Sequence, residues 1–155
     1  MEFSSEEIVT IMNSTHDGSI WDTLDITLVS AERDRVVATM PIGPQHRQQV
    51  GYLHGGVSVV LAESVASLGT ALNIDASKQM AFGLEINANH LRPKRDGQLT
   101  AVATPVHRGR TTHVWDIRIS DENDKLVCVS RCTVAVVDRP PDIDSPLSRN
   151  MPSFG

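Results

Sequence analysis

The stretch from Gly55 to Ile74, GGVSVVLAESVASLGTALNI, constrains the fold more than any other part of the chain. Eleven of its twenty residues are apolar, and they fall all round a helical wheel. A helix of that kind must be covered on most sides. A bilayer is a poor cover, because three Gly, three Ser, a Thr, an Asn and a Glu interrupt the run. The expectation is therefore a helix buried inside one globular domain, which is what 155 residues have room for.

Strands supply the cover. WDTLDITLVS (21–30) alternates Leu24, Ile26 and Leu28, and RVVATMPI (35–42) follows after AERD, which predicts a hairpin. After Asp75 come four more strand-like runs, 81–92, 97–108, 111–120 and 125–137, separated by KRDG, RGR and DEND, the turn chemistry of an antiparallel meander. SEEIVTIMN (5–13) reads as a short amphipathic helix capped by Ser4 or Ser5. The expected class is α+β, with an antiparallel sheet of about six strands curled around one long helix, or sharing the cover with a second subunit. Residues 1–137 form the domain, with 1–20 as N-terminal helix and lead-in. Residues 138–155 hold four of the eight prolines and no periodicity, and are expected to be a flexible tail.

A net charge of -5 and 4% aromatic residues argue against nucleic acid as a partner, since backbone phosphates call for a basic footprint and single strands for stacking platforms. The charge is uneven, however. Residues 1–34 carry eight acids against Arg33, whereas 90–118 carry six bases against Asp96 and Asp116, so a small phosphorylated ligand finds local cations there. Cys128 and Cys132 lie four apart in a strand, about 13 Å, too far for a disulfide that needs Cα atoms within about 7 Å. Buried free thiols and an acidic start without a sustained apolar core suit a reducing cytoplasm.

Glu63 is the only charged residue of the 55–74 helix. A carboxylate in such a setting has a donor partner, is held protonated, or faces a cavity where it works. Ser67, one turn on, shares its face. At the helix start, His54-Gly55-Gly56 offers amides at the positive end of the helix dipole, with no Cβ to hinder a carbonyl oxygen, and Gln48 lies nearby in the preceding loop. Gly55 and Glu63 are eight residues apart, about 12 Å along the axis, too far to serve one small carbonyl. Two antiparallel helices across a twofold axis bring one helix's amide to the other's carboxylate, so composite sites in a homodimer are expected. The six histidines show no metal-ligand spacing, and there is no G-x-S-x-G elbow, P-loop or dinucleotide fingerprint.

GYLHGGVSVVLAESVAS (51–67), GLEINANHLRP (83–93) and VHRGRTTHVWDIRI (106–119) together resemble the hotdog-fold thioesterases of the PaaI-like superfamily, over roughly residues 20–137. The branch it is most similar to holds the 1,4-dihydroxy-2-naphthoyl-CoA and Arthrobacter-type 4-hydroxybenzoyl-CoA thioesterases. The resemblance implies a six-stranded sheet wrapped around the long helix, paired into dimers and then tetramers. It implies an acyl-CoA thioesterase for an aromatic acyl group, possible menaquinone biosynthesis, and no cofactor beyond the CoA of the substrate. Glu63 would be nucleophile or general base, with the Gly55 amide, Gln48 and His54 orienting the carbonyl or water and Ser67 positioning the attack. His90, Arg92, Arg108 and Arg110 would meet the CoA nucleotide. A hotdog hydratase and a non-catalytic acyl-CoA-binding protein are the competing readings, and whether Gln48 or its neighbour Gln49 faces the site is left open.

Overall fold

The computed structural model describes residues 3–15, 17–141 and 143. Near the N-terminus, Ser4 and Glu7 close a capping box: Ser4 Oγ accepts from the Glu7 amide at 3.3 Å, and Glu7 Oε2 accepts from the Ser4 amide at 2.8 Å. The helix so started, α1 (Ser5–Ser14), buries Ile8 and Met12. Where the sequence predicts a strand from residue 21, the chain first makes a single helical turn, α2 (Ile20–Thr23), and only then β1 (Thr27–Glu32). The reason is local. Ser19 caps the turn through the Asp22 amide, and Asp25 takes a left-handed conformation that ends it. Leu24 and Ile26, read as strand positions, are buried all the same.

β1 turns back through Arg33-Asp34 into β2 (Arg35–Pro41), the expected hairpin. A loop containing a 3-10 turn at Pro44–His46 then leads to α3 (Gly55–Ala71). His46 is fully buried and fixes this loop, its Nδ1 accepting from the Gly43 amide at 2.9 Å and its Nε2 bonded to the Leu24 carbonyl at 2.8 Å. The remaining strands are β3 (Gln79–His90), β4 (Gln98–Arg108), β5 (Thr112–Asp121) and β6 (Leu126–Asp138). They form one antiparallel six-stranded sheet in the order β1-β2-β4-β5-β6-β3. The meander expectation thus holds for β4-β5-β6 and fails for β3, which does not pair with β4. It crosses to the far edge and pairs with β6, from Gln79 opposite Asp138 to His90 opposite Cys128.

The inward face follows strand alternation: Val36, Ala38 and Met40, then Leu99, Ala101 and Ala103, then Trp115, Ile117 and Ile119, then Cys128, Cys132 and Val134, all buried. Alanines 38 and 101 are cross-strand partners, and their small side chains leave room for α3, which packs against β2 to β6 through Leu61, Ala62, Val65 and Ala66. Gly69 has the same use. A Cβ there would lie 2.6 Å from the Trp115 indole, whose Nε1 donates to Thr70 Oγ1 at 2.9 Å, so the largest buried side chain is held with its polar atom satisfied. Both cysteines are free and buried, as the spacing required.

The two edges of the sheet differ. Along β1, Asn13 of α1 bonds both backbone groups of Leu28, donating to its carbonyl and accepting from its amide at 2.9 Å each, and Ser5 Oγ accepts from Ala31 N at 2.9 Å. The outer edge of β3 has no such cover among the described residues: no side chain outside β6 hydrogen-bonds its backbone, and Phe82 and Leu84 are 51% and 67% exposed. No described helix is long and apolar enough to cross a membrane. Residue 142 and residues 144–155, which hold most of the expected tail, lie outside the described residues, while Asp138 still belongs to β6.

Candidate active site

The flank of α3 that faces β3 and the N-terminal helices carries Glu63 and, one turn on, Ser67. Both line a groove of about 590 Å³ walled mainly by apolar side chains from α1, α2, α3 and β3. Glu63 is half-buried and has no hydrogen-bond or ion-pair partner among the described residues. Its carboxylate rests against Gly83 of β3, so closely that a Cβ at position 83 would collide with Oε1. Glycine inside a strand commonly marks such a close approach, and this position was not singled out as functional from the sequence. The charge is felt one strand further in: burial first, then the Glu63 and Glu85 carboxylates, push the Cys132 thiol up to about 12.

Others of the predicted groups gather at the N-terminal end of α3. Gln48, Gly55, His90 and Arg92 line a second pocket of about 440 Å³. His54 is the N-cap of α3, its Nδ1 accepting from the Gly56 amide at 2.9 Å, while its carbonyl accepts from Val57 N at 3.0 Å. With those two first-turn amides taken, the Gly55 N–H is the donor left without an acceptor among the described residues. Its glycine identity has a steric reason, since a Cβ would lie 2.7 Å from His90 Nε2. Gln48 lines this pocket with Oε1 accepting from Val50 N at 2.8 Å, which leaves the side-chain NH2 to donate, whereas Gln49 is exposed and lines none of the pockets described.

The four predicted nucleotide contacts do not assemble in one subunit. Arg92 lies at the mouth of the Gly55 pocket, its Nε donating to the Leu126 carbonyl at 3.1 Å. Lys94 beside it is occupied by Glu122 at 2.8 Å and Asp121 at 3.6 Å, so Arg92 is the cationic side chain left to face a ligand there, with the His90 imidazole next to it. Arg108 is at the other end of α3, tied to Asn73 Oδ1 at 3.0 Å and the Arg33 carbonyl at 3.4 Å, and Arg110 is exposed in the β4–β5 turn. Among the described residues no group of three or more His, Cys, Asp and Glu could hold a metal ion.

A buried helix inside a curled antiparallel sheet, with an unpaired carboxylate on one flank and a free helix-start amide, is the architecture of the hotdog thioesterases. Residues 50–128 match the thioesterase superfamily, and the chain belongs to that family and is a thioester hydrolase. Among its relatives, the 1,4-dihydroxy-2-naphthoyl-CoA hydrolase of Listeria monocytogenes is 50% identical over 74% of this chain and 93% of its own length. The enzyme of the same name from Escherichia coli is 42% identical over 81% of this chain and 92% of its own. The crystal structure of a mutant thioesterase from Pseudomonas aeruginosa superposes with a TM-score of 0.82 at 45% identity, covering 84% of this chain and 94% of that one.

Proposed function

We propose that the chain hydrolyses aromatic acyl-CoA thioesters, with 1,4-dihydroxy-2-naphthoyl-CoA of menaquinone biosynthesis as the first candidate, and that its sites are completed across a homodimer that pairs again into a tetramer. The acyl group follows the names of the Listeria and Escherichia coli relatives. The observation that carries the chemistry is Glu63, an unpartnered carboxylate in an apolar groove. Attack on the thioester carbon, by Glu63 itself or by a water it deprotonates, puts negative charge on the carbonyl oxygen. A helix-start amide such as Gly55 N–H stabilises that charge at the positive end of the dipole. The C–S bond then breaks, CoA leaves as the thiolate, and water supplies the oxygen of the free acid.

One protomer cannot do this alone. Glu63 rests on Gly83 and Gly55 on His90, and these β3 positions are seven residues apart, about 24 Å of strand. Pairing the open β3 edge antiparallel with its copy, with Gly83 opposite the partner subunit's His90, brings Glu63 to the partner subunit's Gly55. The twofold axis then passes near Ile86 and Asn87, and the exposed Phe82 and Leu84 flank the joint.

The test is thiol release from a panel of aryl-CoA and fatty acyl-CoA esters, followed by subunit mixing. Glu63→Ala and Gln48→Ala are each expected to be nearly inactive as homodimers. Unfolded and refolded together, they give hybrids with one intact composite site and recover activity. Absence of thiol release from every ester removes the thioesterase reading, and failure of the mixture to recover activity removes the shared site.

A further inference from the structure

The Glu63 groove is polar at both ends. At one end stand Glu63, Ser64 and Ser67; at the other stand Gln79 and Arg139, with an apolar middle that includes Trp21 and Leu68. Ala71, which lines the groove toward the far end, is eight residues beyond Glu63, so the groove runs for roughly 12 Å along α3. Arg139 follows directly on β6 and is fixed by its backbone: its amide donates to the Lys78 carbonyl at 2.7 Å and its Nε to the Ala76 carbonyl at 2.9 Å. Nη1 reaches the Ile143 carbonyl at 3.5 Å. Two of the five guanidinium N–H donors are thus used, and among the described residues no carboxylate pairs with this half-buried cation. Gln79 points the same way chemically: its Oε1 accepts from the Asp75 amide at 3.2 Å, so its free atoms are N–H donors.

We infer that Arg139 and Gln79 form an anion-reading end to the acyl groove. The enzyme therefore prefers extended aroyl thioesters that carry an anionic oxygen substituent on the edge remote from the thioester. This rests on the thioesterase reading above and not on its first-named acyl group, whose two hydroxyls sit on the ring that bears the thioester and do not reach this end. Arginine suits the task, since the two Nη atoms bind a carboxylate side by side. Glu63 sets the direction, because an anion is repelled from its end of the groove and attracted to the other. Length matters as well: the acyl group must carry its outer oxygen about 6–9 Å beyond the thioester carbon to bridge the groove. That figure allows for about 3 Å of attack distance and a hydrogen bond of about 2.8 Å.

The experiment compares kcat and KM of the full-length protein for 2-naphthoyl-CoA and 6-carboxy-2-naphthoyl-CoA by thiol release. The wild type is expected to favour the carboxylated ester about ten- to a hundredfold, mainly through KM, the range of one charge-assisted hydrogen bond. Arg139→Met brings the ratio between the two esters to near unity, and Arg139→Lys keeps part of it. A wild-type enzyme that treats the esters alike overturns the inference. So does an Arg139→Met enzyme that slows both equally, because Arg139 then only ties the end of β6 to the segment before β3. If neither ester releases thiol while others of the panel above do, this inference fails alone; if no ester of the panel does, the thioesterase reading fails and this one falls with it.

Discussion

β1 and β3 are both edges of one sheet, and they are treated in opposite ways. An edge strand presents unpaired amides and carbonyls, a template for another chain, and proteins cover such edges or use them. β1 is covered by α1, whose Asn13 amide takes the place of a neighbouring strand at Leu28. β3 is left open with Phe82 and Leu84 outward, and its inner side carries the glycine that receives Glu63. The difference separates two kinds of residue: those on the β1 edge hold the subunit together, and those on the β3 edge are, on the function proposed above, left for chemistry and assembly.

Five substitutions or treatments test that division, from the largest effect down. Glu63→Gln should cut turnover by about a thousandfold or more, with melting temperature kept or raised, since the change removes an unpaired half-buried charge. Near wild-type hydrolysis would take the β3 edge out of the chemistry. Leu84→Lys, placing a charge where the proposed dimer would join β3 to its copy, should give a monomer by sedimentation and at least a hundredfold less activity at the same protein concentration. An active monomer would break the comparison outright. Gly83→Val, whose side chain would displace the Glu63 carboxylate, should lower kcat by roughly ten- to a hundredfold while the dimer persists. Asn13→Ala, on the other edge, should lose about 1–3 kcal/mol of stability for its two hydrogen bonds, a Tm drop of about 2–10 °C, with kcat/KM unchanged at 20 °C or below. The smallest effect is on thiol chemistry. With its thiol pushed up to about 12, Cys132 should resist alkylation at about pH 8, where the thiolate is scarce, until the protein unfolds.

Much of this is legible in the amino-acid sequence. The run from Gly55 to Ala71 is helical because its residues allow little else, and Glu63 stands out in it as a lone charge. The β4-β5-β6 meander is written in alternation and in short polar turns. β3 is different. Its own alternation and the KRDG turn after it suggest a hairpin with β4, but local pattern does not encode a partner that lies about fifty residues away. The link from β3 to β4 instead runs along the foot of the sheet, pinned where Leu91 N meets the Val127 carbonyl at 2.8 Å and Leu53 N meets the Lys94 carbonyl at 2.7 Å. The α2 turn was hidden for the reverse reason: its apolar residues suit a strand equally well, and only the Ser19 cap tips the balance. Of the site, the start and the middle of α3 were legible from residue types. Gly83 was not, since its meaning comes from a carboxylate twenty positions earlier in the chain. Arg139 was read as the start of a tail, because nothing in its neighbours tells that its backbone is anchored beside the groove.

The Asn13 amide has a consequence for growth. Were β1 as bare as β3, each subunit would offer two adhesive sides, and copies would add one after another into an unending ribbon. With one side sealed by the Asn13 carboxamide and the Ser5 hydroxyl, joining along β3 uses up the one open sheet edge among the described residues. In the proposed dimer, ribbon extension then stops at a pair, and that limit is written partly into the thirteenth residue.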